Sequence, residues 1–171
     1  LRNMNQWKTV GIVGAGTMGS GMAQIAAEAG CEVILVDAHE HALARSKEQL
    51  ERVMNRLLEK GRKTADESAD LQSRIRRTTD LVDLQTCDLV IEAIVEQLQA
   101  KSDLFKALEA ILPREAVLAT NTSSLSVTAL AQACDHPQRV VGLHFFNPAP
   151  LMALVEVIPA LQTDPDLVEH A

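Results

Sequence analysis

Val10-Gly11-Ile12-Val13-Gly14-Ala15-Gly16-Thr17-Met18-Gly19 decides how this chain folds. A short apolar run leads into glycines spaced G-x-G-x-x-G. A helical repeat follows, with Met22, Ile25, Ala26 and Ala29 at i, i+3, i+4 and i+7 and Gly30 placed to end it. Each glycine has a physical task in such a turn. Gly14 allows the tight strand-to-helix bend, Gly16 lets backbone approach a pyrophosphate, and Gly19 lets the helix pack closely on the strand. Phosphates then rest on free N–H groups at the positive end of the helix, and the whole turn, Thr17 and Met18 included, is expected to border the cofactor. Asp37 follows Gly19 by 18 residues, at the tip of the second apolar run Glu32-Val33-Ile34-Leu35-Val36. A carboxylate there accepts hydrogen bonds from the 2′- and 3′-hydroxyls of a ribose and repels a 2′-phosphate, which favours NAD over NADP. Glycine-rich turns alone open many helices that hold no ligand. The strand before, the helix after and the acid at this distance make the assignment.

The 171 residues suffice for one domain with a real core, since a chain of this size buries roughly 70% of its unfolded surface. The formal charge is −7 and no long basic run occurs, so nucleic acid is not an expected partner. Cys31, Cys87 and Cys134 are odd in number and far apart, which suggests neither a disulfide framework nor a zinc site and fits a reducing, cytoplasmic setting. No apolar run approaches the length of a membrane span, and no secretory pattern opens the chain. Residues 1–7 read as a leader, with Met4 as the expected native start after Leu1-Arg2-Asn3. Trp7, Phe105, Phe145 and Phe146 are the only aromatic residues, so Ala, Val, Ile and Leu must fill the core.

Further strands are expected at about 75–78, 89–91, 116–120, 139–145 and 153–158, and helices at about 40–60, 101–112 and 127–133. Residues 61–70 read as an exposed polar connection, and residues from 160 onward as the start of a link to another helical unit. The strands are continuously apolar, which implies burial on both faces. Alternation with helices then gives a doubly wound, Rossmann-like α/β domain over 1–171, with a mainly parallel sheet and helices on both faces.

Polar residues gather at the expected C-terminal ends of the later strands, where open α/β sheets bind ligands. One group is Asn121-Thr122-Ser123-Ser124, and the other is His144-Phe145-Phe146-Asn147-Pro148. If the chain reverses around Pro150, His144 and Glu156, each six residues away, face one another. Pro148 and Pro150 favour such a reversal. A carboxylate inside the apolar run Leu154-Val155-Glu156-Val157-Ile158 needs a partner, and His144 is the natural one. Glu156 would orient His144 and stabilise its imidazolium, leaving the other ring nitrogen as a base. Taken singly, His144 reads more readily as a hydrogen-bonded core histidine and Glu156 as an ordinary paired carboxylate. Together, at the ligand-binding edge, they point to catalysis.

The segments Gly14–Gly19, Ile91-Glu92-Ala93-Ile94-Val95-Glu96, Thr120-Asn121-Thr122-Ser123-Ser124-Leu125 and Gly142-Leu143-His144-Phe145-Phe146-Asn147-Pro148 carry a family likeness. From about Lys8 to Ile158 the chain resembles the NAD-binding domain of the L-3-hydroxyacyl-CoA dehydrogenases, including 3-hydroxybutyryl-CoA dehydrogenases. The resemblance implies oxidation of (S)-3-hydroxyacyl-CoA to 3-ketoacyl-CoA by hydride transfer to NAD+, in fatty-acid β-oxidation or related acyl-CoA metabolism. It makes His144 the general base, Glu156 its partner, and Ser123 a ligand of both the substrate oxygen and the nicotinamide region. It gives Asn147 a supporting place on the nicotinamide side of the pocket, also beside substrate, sets Glu96 and Lys101 along the cofactor cleft, and places Lys60 against coenzyme A. The basic group Arg56, Lys60, Arg62 and Lys63 suits phosphates, and equally suits a solvated helix end. Val53 stands where the family can place a serine near coenzyme A. Family members also carry a second, all-helical domain of roughly one hundred residues that makes a homodimer. The chain is therefore expected to be an N-terminal piece without that domain. Two other readings stay open at this point: a catalytically silent NAD-binding module, and a related β-hydroxyacid or sugar-acid dehydrogenase.

Overall fold

The structure, a computed structural model, describes residues 7–170. Seven strands form one sheet: β1 (Thr9–Val13), β2 (Glu32–Val36), β3 (Ile75–Thr78), β4 (Leu89–Glu92), β5 (Val117–Thr120), β6 (Val140–Phe145) and β7 (Val155–Pro159). Their spatial order is β3-β2-β1-β4-β5-β6-β7. All neighbours run parallel except the last pair. The helices are α1 (Thr17–Glu28), α2 (Glu40–Glu59), α3 (Ala65–Ser73), α4 (Leu98–Ile111), α5 (Val127–Ala131) and α6 (Pro165–His170).

Alternate residues of the same strands feed two separate cores. Val33 and Leu35 join Met22, Leu50, Met54 and Leu71 beneath α1, α2 and α3. Ile34 and Val36 join Phe105, Leu108 and Leu130 beneath α4 and α5. The sheet is thus covered on both faces, which is what its uninterrupted Val, Ile and Leu runs require. Strand order reverses direction between β1 and β4, and the crevice outside their C-terminal ends is where such sheets take ligands.

Several expectations need correction. The supposed connection at 61–70 contains the start of α3. Thr64 and Glu67 close a capping box, and Ser68 and Leu71 are buried. Helix α4 begins three residues earlier than its apolar repeat suggested, after Gln97, which makes no side-chain cap. Strand β7 is not buried on both faces. It is the edge strand and most of it faces solvent. Apart from these corrections, the segment between β7 and α6 is hydrogen-bonded to β6: the Thr163 hydroxyl donates to the Val140 carbonyl at 2.6 Å and accepts from the Ala160 amide at 2.7 Å. Of the expected leader, residues 1–6 lie outside the described residues, while Trp7 packs at the margin of the larger core.

Candidate active site

The glycine turn fills the gap between β1 and α1. Gly14 has φ +108°, and a Cβ there would sit 2.5 Å from the Ala93 carbonyl oxygen in the loop after β4. A Cβ on Gly19 would come within 1.8 Å of the Gly14 carbonyl oxygen. Gly16 differs, because a Cβ there would meet no atom within 4 Å. Two glycines are therefore demanded by the protein's own packing, while the third opens onto the crevice. Gly16 is also the N-cap of α1, which has neither a side-chain cap nor an acidic residue in its first turn. An anion at this point would satisfy open backbone donors, so the turn fits a dinucleotide pyrophosphate. Thr17 is exposed at the mouth, and Met18 is half-buried against the core.

Asp37 follows β2 directly. Its Oδ2 accepts from the Ala15 amide at 2.8 Å and its Oδ1 from the His39 amide at 2.9 Å. The carboxylate braces the glycine turn and keeps further lone pairs for ribose hydroxyls.

His144 and Glu156 are register partners across β6 and β7, with Nδ1 and Oε2 2.8 Å apart. All five pairs of that ladder, from Val141–Pro159 to Phe145–Val155, are centred on Pro150. Contrary to expectation, Glu156 is not buried: its side chain is 51% exposed, against 19% for His144. Phe146 packs against the imidazole with ring centroids 4.7 Å apart. Nε2 makes no hydrogen bond among the described residues, leaving that nitrogen to act on a bound molecule.

Ser123 is exposed on the loop after β5, the neighbour of β6. The Asn121 side-chain carbonyl accepts from the Phe145 amide at 2.8 Å and ties this loop to the end of β6. Glu96 holds the loop from its other side. Its Oε1 accepts from the Thr122 hydroxyl, the Ser123 amide at 3.1 Å, and the Ser124 amide and hydroxyl at 3.3 and 3.1 Å. Burial alone would raise the Glu96 pKa, but the Thr122 hydroxyl, the Lys101 ammonium and the Ser124 hydroxyl outweigh it and hold the carboxyl at about 2. Lys101 does not line the cleft itself. Its side chain is 1% exposed, with Nζ 2.5 Å from Glu92 and 3.2 Å from Glu96, so its charge reaches the cleft only through Glu96. Sequence reasoning assigned no role to Asn121, Glu92 or Thr122, although a carboxylate ending the apolar run Leu89-Val90-Ile91 was a signal that a buried counter-charge lay nearby.

A groove of about 500 Å³ runs between α1, α2 and the short turn Ala149–Leu151. Arg56, Lys60 and Arg62 line it, as does Asn147, and Val53 and Leu57 supply apolar surface. Lys63 does not line it and instead pairs with Glu28 at 3.8 Å.

A glycine turn braced by the carboxylate after β2, together with a histidine–carboxylate pair at the C-terminal edge of the sheet, defines a dinucleotide-dependent dehydrogenase domain. Comparison with known proteins agrees. The family described as "3-hydroxyacyl-CoA dehydrogenase, NAD binding domain" matches residues 9–171. A probable 3-hydroxybutyryl-CoA dehydrogenase of Deinococcus radiodurans is 50% identical over 153 residues, covering 90% of this chain and 55% of that protein. The 3-hydroxyadipyl-CoA dehydrogenase of Escherichia coli is 43% identical, covering 95% of this chain and 34% of its own length. The crystal structure of 3-hydroxybutyryl-CoA dehydrogenase from Escherichia coli K12 superposes with a TM-score of 0.94 at 43% identity, over 96% of this chain and 35% of that one. The chain belongs to the 3-hydroxyacyl-CoA dehydrogenase family, as its NAD-binding domain. It spans about half the length, or less, of these relatives. Among the described residues, no helix is long and apolar enough to cross a membrane.

Proposed function

We propose that the protein carrying this domain oxidises (S)-3-hydroxyacyl-CoA to 3-ketoacyl-CoA with NAD+. The observation that carries this reading is the His144–Glu156 pair, 2.8 Å apart beside the Ser123 loop. Bound NAD+ supplies the hydride acceptor for carbon 3. His144 Nε2 takes the proton of the 3-hydroxyl as that hydroxyl becomes a carbonyl, and Glu156 offsets the charge on the imidazolium. Ser123, whose hydroxyl has no partner among the described residues, holds the substrate oxygen and borders the nicotinamide, with Asn147 beside it. Gly14, Gly16, Thr17, Met18 and Gly19 seat the pyrophosphate, Asp37 takes the ribose and Glu96 borders the cleft. Lys60, with Arg56 and Arg62, receives the phosphates of coenzyme A in the groove beside α2.

The reading extends to a cytoplasmic β-oxidation enzyme acting as a homodimer. Cys31, Cys87 and Cys134, all free thiols, support the reducing compartment. The dimer is carried over from the family likeness alone.

His144→Gln in the whole protein tests the chemistry. Turnover of acetoacetyl-CoA with NADH should fall by about 10²–10⁴-fold while NADH affinity, read by fluorescence, stays as it was. Undiminished turnover would remove His144 from this role. NADH binding by the 171-residue chain without turnover would assign it the cofactor half of the site alone.

A further inference from the structure

Behind the Ser123 loop lies a set of charges that the reaction itself does not use. Glu92, the last residue of β4, is fully buried, and so is Thr120 at the end of β5. Glu92 Oε2 accepts from the Thr120 hydroxyl at 2.7 Å, and its Oε1 accepts from the Ile94 amide at 2.7 Å and from Lys101 Nζ at 2.5 Å. Lys101 comes from the first turn of α4, and its ammonium also lies 3.2 Å from Glu96 Oε2. The Thr120 hydroxyl in turn accepts from the Thr122 amide at 3.2 Å. One cation therefore bridges a carboxylate sealed beneath the sheet edge and a carboxylate on the loop surface. The surface carboxylate receives every one of its loop contacts, from Thr122, Ser123 and Ser124, on a single oxygen. Its second oxygen is left for Lys101.

We propose that Lys101 and Glu92 are positioning residues: the buried pair anchors Glu96 as an anionic hub, and the hub fixes the loop that presents Ser123. The inference rests on the assignment of Ser123 to the substrate oxygen and extends it two layers inward. The geometry divides the labour. Glu92 fixes Lys101, because a carboxylate without exposure requires a charge partner at contact distance. Lys101 then draws Glu96 Oε2 toward the protein, which turns Oε1 outward over the loop. Two backbone amides and two hydroxyls converge on Oε1, and only an ionised carboxylate accepts from so many donors. The charged groups facing Glu96 are Lys101 of α4 and, behind it, Glu92 of β4, while the loop after β5 offers it only uncharged donors. Ser123 thus spends its amide on the hub and keeps its hydroxyl free.

The test is an NMR titration of the Ser123 and Ser124 amides in this chain, a readout independent of turnover. In the wild type, both amides should hold their positions as pH falls from 7 to about 4, because Glu96 stays ionised down to about 2. In Lys101→Met, both should titrate together with a midpoint raised from the wild-type value toward the ordinary glutamate value of about 4.3, the Thr122 and Ser124 hydroxyls still holding it somewhat down. Lys101→Arg, which keeps the charge, should restore wild-type behaviour. Lys101→Met strands Glu92 and risks unfolding. The paired change Glu92→Leu with Lys101→Met removes both buried charges and is therefore the safer variant. It should show the same raised midpoint. Amides that follow the wild-type course in either charge-removed form overturn the proposal. NADH fluorescence on the same samples reports separately on the dehydrogenase reading, so the failure of one is not mistaken for the failure of the other.

Discussion

Glu156 stands directly across the β6–β7 ladder from His144, with its Oε2 2.8 Å from the imidazole Nδ1. The pair is open to solvent on the carboxylate side, since the Glu156 side chain is half exposed. An exposed pair of this kind contributes less than about 1 kcal/mol to stability. Its value is orientational: Nδ1 is engaged, and Nε2 is left for a proton. Glu156→Gln keeps the shape and removes the charge. Turnover in the whole protein should drop by about 10²-fold or more, with stability and NADH affinity nearly unchanged. A variant retaining most of its turnover would show that the carboxylate only accompanies the histidine.

The two glycine substitutions that look alike in sequence should separate sharply. Gly19→Ala drives a Cβ to 1.8 Å from a backbone oxygen, so the turn must move, at a cost of about 1–3 kcal/mol or more. Gly16→Ala places its Cβ in open space, and its effect on stability should stay within about 1 kcal/mol. On the proposed reading that same methyl lies in the path of the pyrophosphate, so NADH affinity should fall at least tenfold, about 1.4 kcal/mol. Thermal unfolding and NADH fluorescence measure the two effects. Tight cofactor binding by Gly16→Ala would mean that the pyrophosphate lies elsewhere.

The alternation of strands and helices, the glycine turn and the facing of His144 and Glu156 were legible because each follows from spacing. A reversal centred on Pro150 fixes which residues oppose, whatever the side chains. Burial was less legible. Glu156 looked buried because its neighbours are apolar, yet β7 is an edge strand, and no local pattern distinguishes an apolar edge from an apolar centre. Lys101 was set along the cleft by the family resemblance alone, and its side chain is instead 1% exposed. Its burial depends on Glu92, nine positions away on another element. Helix α3 escaped notice because its apolar content is thin, although Thr64-Ala65-Asp66-Glu67 spelled a capping box.

On the proposed reading Asp37 both braces the glycine turn and takes the ribose, and Asp37→Asn separates the two. An asparagine still offers one oxygen to the Ala15 or His39 amide but carries no charge. Loss of a charge-assisted bond to a ribose hydroxyl costs about 1.5–3 kcal/mol, roughly 10–100-fold in NADH affinity. The repulsion of a 2′-phosphate disappears with it, so the preference for NADH over NADPH should narrow. Titration of both cofactors against both proteins checks this, and an unaltered ratio would place the ribose away from Asp37.

Coenzyme A binding should depend on Arg56 and Lys60, which line the groove, and not on Lys63, which pairs with Glu28. Arg56→Gln and Lys60→Gln should each weaken acetoacetyl-CoA binding several-fold at low salt. The difference should fade toward ~1 M salt, where the screening length falls to about 3 Å. Lys63→Gln serves as the control. Calorimetry across a salt series distinguishes these cases, and equal effects from all three substitutions would reduce the groove to a diffuse positive surface.

Acid stability offers a test of the Glu96 hub that needs neither cofactor nor substrate. Its folded pKa lies at about 2: burial opposes the shift, and Thr122, Lys101 and Ser124 impose it. The unfolded value is about 4.3. Between those limits the unfolded chain binds the extra proton, so stability rises with pH through this window. The contribution is complete above the unfolded pKa and is lost as pH falls toward the folded one. Glu67, held down by its bonds to Thr64, and Asp83, held down by Thr78 and Arg76, add slopes of their own. Those slopes cancel when wild type is compared with Glu96→Gln at each pH. Urea unfolding should therefore show a gap between the two proteins that is widest near neutral pH and closes steadily below about pH 4. A gap that stays constant down to the acid limit would mean that Glu96 is no better stabilised in the fold than in water, and the loop would have to be held by something else.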